Sequence, residues 1–178
     1  MGGRVRLVAA LAMTLALAGA AGGTAAQTSA PFPERGTYHG GEYPAEDLVT
    51  RGLACNVQHG ALSCFDSVEE ADRAAAAETL VASLAGELIA LASCSPPLRV
   101  WWDVWFQGSS IGFYDYPGWQ DLPVSWRNQT SSWDVGCRAG RLSDYTGGGG
   151  NTIGLPEGSS APAMPSGWDN RADAIYRY

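Results

Sequence analysis

The 178-residue chain is 46% hydrophobic and only 16% charged, enough apolar material for a real core in one domain or a domain with an appendage. Its formal charge is −7, and all of its positive charge is Arg, without a single Lys. That balance excludes a nucleic-acid binder, which needs clustered cations against phosphate, and argues against acidic partners at large.

Residues 1–26 are expected to be a signal peptide. Arg4 and Arg6 form a positive start, residues 7–18 are an apolar run too short to cross a bilayer comfortably, and Thr24, Ala25 and Ala26 offer small residues for cleavage. A cut after Ala30 is the alternative, and it would leave Pro31 first. No Cys sits at the junction, so a lipid anchor is not indicated. Removing Arg4 and Arg6 takes the charge from −7 to −9, and nothing later is long and apolar enough to span a membrane. The mature chain is expected to be secreted, extracellular and monomeric.

Residues 27–52, rich in Pro, Gly and polar side chains, read as a flexible arm. His39 lies here and His59 follows; neither neighbours a metal-type cluster, so both read as solvated. Residues 53–97 form a second unit, a disulfide-tied hairpin followed by a helix. In an oxidising compartment four cysteines favour two disulfides, with three connectivities open. The expected set is Cys55–Cys64, bracketing a hairpin that turns at Gly60, and Cys94–Cys137. A zinc site would need closely spaced Cys or His pairs, which are absent.

The helix begins at a capping box, Ser67 with Glu70, and carries Glu69 and Glu70 at its positive end. Leu80, Leu84, Leu88 and Leu91 make an apolar stripe for packing, Gly86 weakens the middle, and Pro96 and Pro97 stop it. A membrane-surface helix would need a basic face, whereas Glu69, Glu70, Glu78 and Glu87 outweigh Arg73. From Leu98 the pattern turns to β: Val100 to Phe106, Ile111 to Tyr114, then 131–135, 141–145, 152–155 and 174–178, separated by Gly and Pro turns. Short strands of this kind indicate a mainly-β sandwich, α+β overall because of the N-terminal helical appendage.

Residues 98–178 state one pattern twice, with Trp126 and Asn128 recurring 42 residues on as Trp168 and Asn170. Gly108 finds its counterpart at Gly149, near the same period. The string WWDVWFQG, with Trp101, Phe106 and Gly108, resembles the opening of a βγ-crystallin Greek-key motif. RNQTSS (127–132) and DNRADA (169–174) are similar to that family's paired loops. The upstream half also resembles secreted actinobacterial proteins, and the absence of Lys suits a GC-rich genome. The resemblance implies a β-sandwich of two Greek keys, 98–137 and 138–178.

The resemblance also implies calcium held by hard oxygen ligands between the two keys. The residues offered are Asn128 and Ser131 in the first loop and Asp169, Asn170 and Asp173 in the second. Arg127 and Ala174 each remove a feature that calcium would use, leaving at most one site, centred on the second loop. The competing reading makes both loops corners whose polar side chains cap the backbone. The sequon Asn128, Gln129, Thr130 indicates a surface loop at most.

Trp102, Trp105 and Trp119 are the candidate partner surface, for a protein or a glycan; core packing is the competing role. An enzyme is not expected, because no His lies in the β region and Asp103, Asp115, Asp121 and Asp134 show no diagnostic spacing. The chain therefore reads as a secreted non-enzymatic binding or structural module. The alternative implied by the resemblance is an inhibitor of extracellular proteinases, with loops 114–122 and 147–151 as candidates.

Overall fold

The computed structural model describes residues 29–84, 97–114 and 117–178. Its first elements are built on two His-Gly turns. His39 and Gly40 (φ 49° and 76°), like His59 and Gly60 (φ 52° and 72°), put two consecutive residues in the left-handed region. A two-residue hairpin between right-twisted strands requires that backbone. The first turn joins β1 (Arg35–Tyr38) to β2 (Gly41–Pro44); after α1 (Ala45–Val49), the second joins β3 (Ala54–Gln58) to β4 (Ala61–Phe65).

The flexible arm expected over 27–52 is thereby corrected. β1 pairs antiparallel with β2 and parallel with β4, and α1 buries Ala45, Leu48 and Val49. Glycines that suggested disorder serve turns and close packing instead: a Cβ on Gly36 would lie 2.7 Å from Leu62 Cδ2. Further upstream, the Ala30 amide donates to the Trp119 carbonyl at 2.8 Å.

The disulfide Cys55–Cys64 joins directly opposed residues of β3 and β4. No described cysteine is a free thiol. Cys94, the predicted partner of Cys137, lies outside the described residues. Helix α2 (Val68–Leu84) starts as expected, its Glu70 amide donating to Ser67 Oγ at 3.2 Å, and it buries Ala71 and Ala75. The predicted leucine stripe, from Leu80 to Leu91, and the break at Gly86 lie outside the described side chains.

The remaining strands are β5 (Leu98–Asp103), β6 (Gln107–Phe113), β7 (Gly118–Asp121), β8 (Ser132–Val135), β9 (Gly140–Ser143), β10 (Thr152–Leu155), β11 (Ser160–Ala161) and β12 (Ala174–Arg177). The strand predicted to run through Phe106 ends at Asp103, and Val104–Phe106 is a tight 3-10 turn. The sheets have the orders β11-β8-β5-β6-β3-β4-β1-β2 and β10-β9-β12-β7. Within them stand two equivalent quartets, β6-β5-β8-β11 and β10-β9-β12-β7. Each repeat keeps three strands in its own quartet and gives its third, β7 or β11, to the other. The result is the expected mainly-β, α+β architecture resembling a Greek-key sandwich.

The predicted boundary at Leu98 falls inside this architecture. β3 continues the first quartet by pairing in parallel with β6, Ala54 through Val57 opposite Ser110 through Phe113. Leu48, Val49 and Val57 then belong to the same buried cluster as Val100, Trp126, Leu142 and Ile175. A buried polar group fastens the seam. Arg99 on β5 donates to Asp72 Oδ1 and Asn56 Oδ1 (2.8 Å each), Ser110 Oγ (3.1 Å) and the Cys55 carbonyl (3.3 Å). Gly112 leaves the room, since its Cβ would meet Arg99 and Asn56 within 3 Å. Buried charges need such complete pairing.

Candidate functional site

The period of 42 residues is written into the backbone of the two corner loops. Asn128 and Asn170 both turn left-handed, at φ 59° and 53°. The Asn128 amide donates to the Ala172 carbonyl (3.0 Å) and Asn170 to Thr130 (3.1 Å); Leu122 donates to Asp173 (2.9 Å) and Met164 to Ser131 (2.8 Å). Each bond has its mate with both partners shifted by the period and exchanged, so the loops meet across a pseudo-two-fold axis. The same register corrects one expectation. Gly150, with φ 70°, matches Gly108, with φ 74°, whereas Gly149 is ordinary extended backbone at φ −74° and ψ 170°.

This crossing distributes the predicted calcium ligands between the two sides of the axis. Ser131 Oγ donates to Asn170 Oδ1 at 3.2 Å, joining the two loops, and Asp169 is exposed. Asp173 is half-buried, and burial holds its carboxyl above the usual carboxylate range against the opposing pull of Arg127. Its Oδ1 has no hydrogen-bond partner, the one feature here that suits a cation, while Arg127 beside it opposes one. Among the described residues no three His, Cys, Asp or Glu side chains gather closely enough to hold a metal ion. The fit to calcium is partial, and it is not centred on a single loop. Trp126 and Trp168 have also diverged: Trp126 is fully buried and donates to the Val49 carbonyl at 2.8 Å, whereas Trp168 lies under the Arg171 guanidinium at 5.6 Å.

The three tryptophans expected to share a partner surface do not. Trp102 is half-buried, edge-on to Trp126 at 5.5 Å, and Trp119 is only 9% exposed, packed against Gly148 and, at 5.2 Å, against Tyr176. Trp105 alone stands out, 67% exposed at the tip of Val104–Phe106. The tip is rigidly held. Trp105 donates its amide to Pro162 (2.6 Å), Phe106 donates to Ser132 Oγ (3.2 Å), and Ser132 Oγ donates to the Asp103 carbonyl (2.7 Å). Trp105 and Phe106 both lie at positive φ, 61° and 60°, where the second repeat has Gly147 and Gly148. Left-handed backbone costs a non-glycine residue about 1–2 kcal/mol. Phe106 recovers part of that by meeting Trp101 edge-to-face at 5.1 Å; Trp105 is free of such cover.

The loops proposed for proteinase contact are less free than expected. In 147–151, Asp144 accepts the Asn151 amide (2.6 Å) and side chain (2.8 Å), and Asp121 accepts the Gly147 amide (2.7 Å). The Asn151 side chain first, then the Arg171 guanidinium at 2.7 Å, holds the Asp144 carboxyl below its usual range. Part of the 114–122 loop lies outside the described residues, and Gly118–Asp121 within it is strand β7. His39 and His59 are exposed, each beside a carboxylate: Asp66 at 2.9 Å and Glu78 at 3.3 Å. Asp121 lies in the four-stranded sheet and Asp103 and Asp134 in the other, and Asp115 falls outside the described residues.

Exchanged third strands and corner loops crossed on a pseudo-dyad define a double Greek key that resembles the βγ-crystallin fold, extended at one edge by β1 to β4. No protein-family model matches the sequence, and no curated protein matches it. Among solved structures, a βγ-crystallin from Ciona intestinalis is similar at 21% identity, over 46% of this chain and 98% of that one, with a TM-score of 0.40. A βγ-crystallin domain from Flavobacterium johnsoniae is similar at 17% identity, over 46% and 92%, with a TM-score of 0.39. An archaeal βγ-crystallin gives 20% identity, 46% and 95%, and 0.38. At these values the likeness carries no weight of its own, and the fold is read from the strand order.

Proposed function

We propose that the chain is a secreted, non-enzymatic binding module of βγ-crystallin-like fold that engages a protein partner through the Val104–Phe106 tip. One observation carries this reading: Trp105 is held left-handed and 67% exposed where the other repeat makes the same turn with glycine. A rigid convex aromatic loses little freedom on entering an apolar pocket, so its burial counts almost fully toward affinity. A peptide-display library selected on the wild type and counter-selected on Trp105→Gly tests it. Sequences that bind only the wild type support the tip, and failure to enrich any removes it. N-terminal sequencing of exported protein should begin at Gln27.

Inhibition of an extracellular proteinase is the alternative, and the same tip favours it over the clamped 147–151 loop. Proteinases with large apolar specificity pockets should be inhibited by the wild type and spared by Trp105→Gly. Rapid cleavage of the tip, or no effect on every enzyme, discards the inhibitor. Calcium remains a subsidiary proposal resting on the orphan oxygen of Asp173, with Asp169 and Asn170 beside it in sequence. It predicts saturable calcium heat and a melting point lowered by chelator.

A further inference from the structure

The repeat places Arg141 at the position equivalent to Arg99, 42 residues away, with the opposite fate. Arg99 lies opposite Gly112 on the outer face of the first quartet; α2 covers it, and the Asp72 carboxylate pairs with it at 2.8 Å. Arg141 lies opposite Gly154 on the outer face of the second quartet, and no carboxylate among the described residues pairs with it. A Cβ on Gly154 would meet nothing within 4 Å, whereas Gly112 is hemmed in by Arg99 and Asn56. Within the protein, then, the group that complements this position is a carboxylate, and the second copy of the position stands open.

The open copy has acquired an aromatic frame. Arg141, Tyr176 and Trp119 form one cross-strand row over β9, β12 and β7, on the face away from Leu142 and Ile175 of the core. Tyr178 closes the row, its ring 4.9 Å from that of Tyr176 and 5.3 Å from the Arg141 guanidinium. These four side chains line a recess of about 280 Å³, and Tyr178 is 42% exposed. Aromatic rings beside a guanidinium suit a ligand with a flat C–H face and a negative group. Each of the four also carries a polar tip, so the recess offers no aliphatic groove for the apolar stripe of a helix. The overall negative charge of the chain disfavours polyanions, but the only charged side chain lining the recess is Arg141.

The geometry points to this recess as a binding site for a carboxylate-bearing sugar, a uronic acid residue that packs against the mutually inclined rings of Tyr176 and Tyr178 and pairs with Arg141. The site lies in the other sheet from the Trp105 tip and does not depend on it. The test is calorimetric titration of the mature protein with cellobiouronic acid, which carries one carboxylate, with cellobiose, and with a capped tripeptide containing one glutamate. Expected are saturable binding of the acidic disaccharide, about tenfold weaker binding of cellobiose, and about tenfold weakening by Arg141→Gln. Tyr178→Ala, an exposed change, should weaken both sugars alike. Trp105→Gly should leave the affinity unchanged, which separates this site from the proposed partner tip. The proposal is overturned by no saturable heat with cellobiouronic acid, equal binding of both sugars, unaltered affinity in Arg141→Gln, or tripeptide binding as tight as the acidic sugar.

Discussion

Trp105 and Gly147 hold the same backbone conformation in equivalent turns, so the two repeats compare a bulky residue with glycine in a single molecule. Trp105→Gly removes a left-handed cost of about 1–2 kcal/mol and adds about 0.5–1 kcal/mol of unfolded-chain entropy. A net gain of roughly 0.5 kcal/mol is expected in chemical denaturation. Phe106→Gly should bring no gain, because it gives up the edge contact with Trp101, worth about 0.5–1.5 kcal/mol. The glycine run supplies a second pair of variants. On Gly150 a Cβ would lie 2.0 Å from Asp144 Oδ1, on left-handed backbone, whereas on Gly149 its nearest neighbour is 3.4 Å away. Gly150→Ala should cost about 2 kcal/mol or more and Gly149→Ala less than about 0.5 kcal/mol. Equal effects would refute the 42-residue register. Four consecutive glycines hide which of them turns the chain; Trp126, Asn128 and their mates show the period because their side chains differ from their neighbours.

At the scale of elements, the β1–β2 hairpin is fastened to the end of β4 by Asp66, which accepts the Tyr38 hydroxyl at 2.6 Å and faces His39 at 2.9 Å. The Tyr38 bond, followed by that of His39, holds the Asp66 carboxyl below its usual range, and the same bond raises the Tyr38 phenol. Because the Asp66 value is lowered on folding, its contribution is complete above about pH 4 and is lost as pH falls through the folded value. Because the Tyr38 value is raised, its contribution is complete below about pH 10 and is lost as pH climbs past the folded value. Asp66→Asn should therefore weaken amide-exchange protection of β1 and β2 at pH 7, and the difference from wild type should vanish under strongly acidic conditions. A difference that persists there would place the effect in packing. This hairpin was the element hardest to read, since HGG and its neighbours look like a linker until the two-residue turn is considered. The α2 start was plain, because Ser67 and Glu70 act locally on the first turn.

For the whole molecule, the decisive residue is Arg99. Its partners Cys55, Asn56 and Asp72 all precede the β-rich half, so residues 98–178 expressed alone would leave Arg99 on an uncovered sheet face, remove Leu48, Val49 and Val57 from the shared core and expose the β6 edge. Burying an aliphatic side chain is worth about 1.5–3 kcal/mol, so losing these three removes much of the stability of a small domain. The fragment should lack a cooperative thermal transition, and one that melts like the full chain would show that the seam is dispensable. The duplicated body was legible because repeats and Gly-aromatic turns leave local marks. The seam was not, since nothing in LRVWWDVW says that Arg99 points into a cluster supplied from residues 55–72. The open Arg141 recess was hidden for the same reason, being assembled from β7, β9 and β12 by register alone.

The exchanged third strands also constrain ancestry. A single repeat standing alone would complete neither quartet, since its third strand belongs to a sheet that it does not own. Two identical chains could have finished each other only by trading that strand as a dimer. Joining them end to end would have freed each copy from matching itself, and the fates of Arg99, roofed by a helix, and Arg141, left open, are what such release permits.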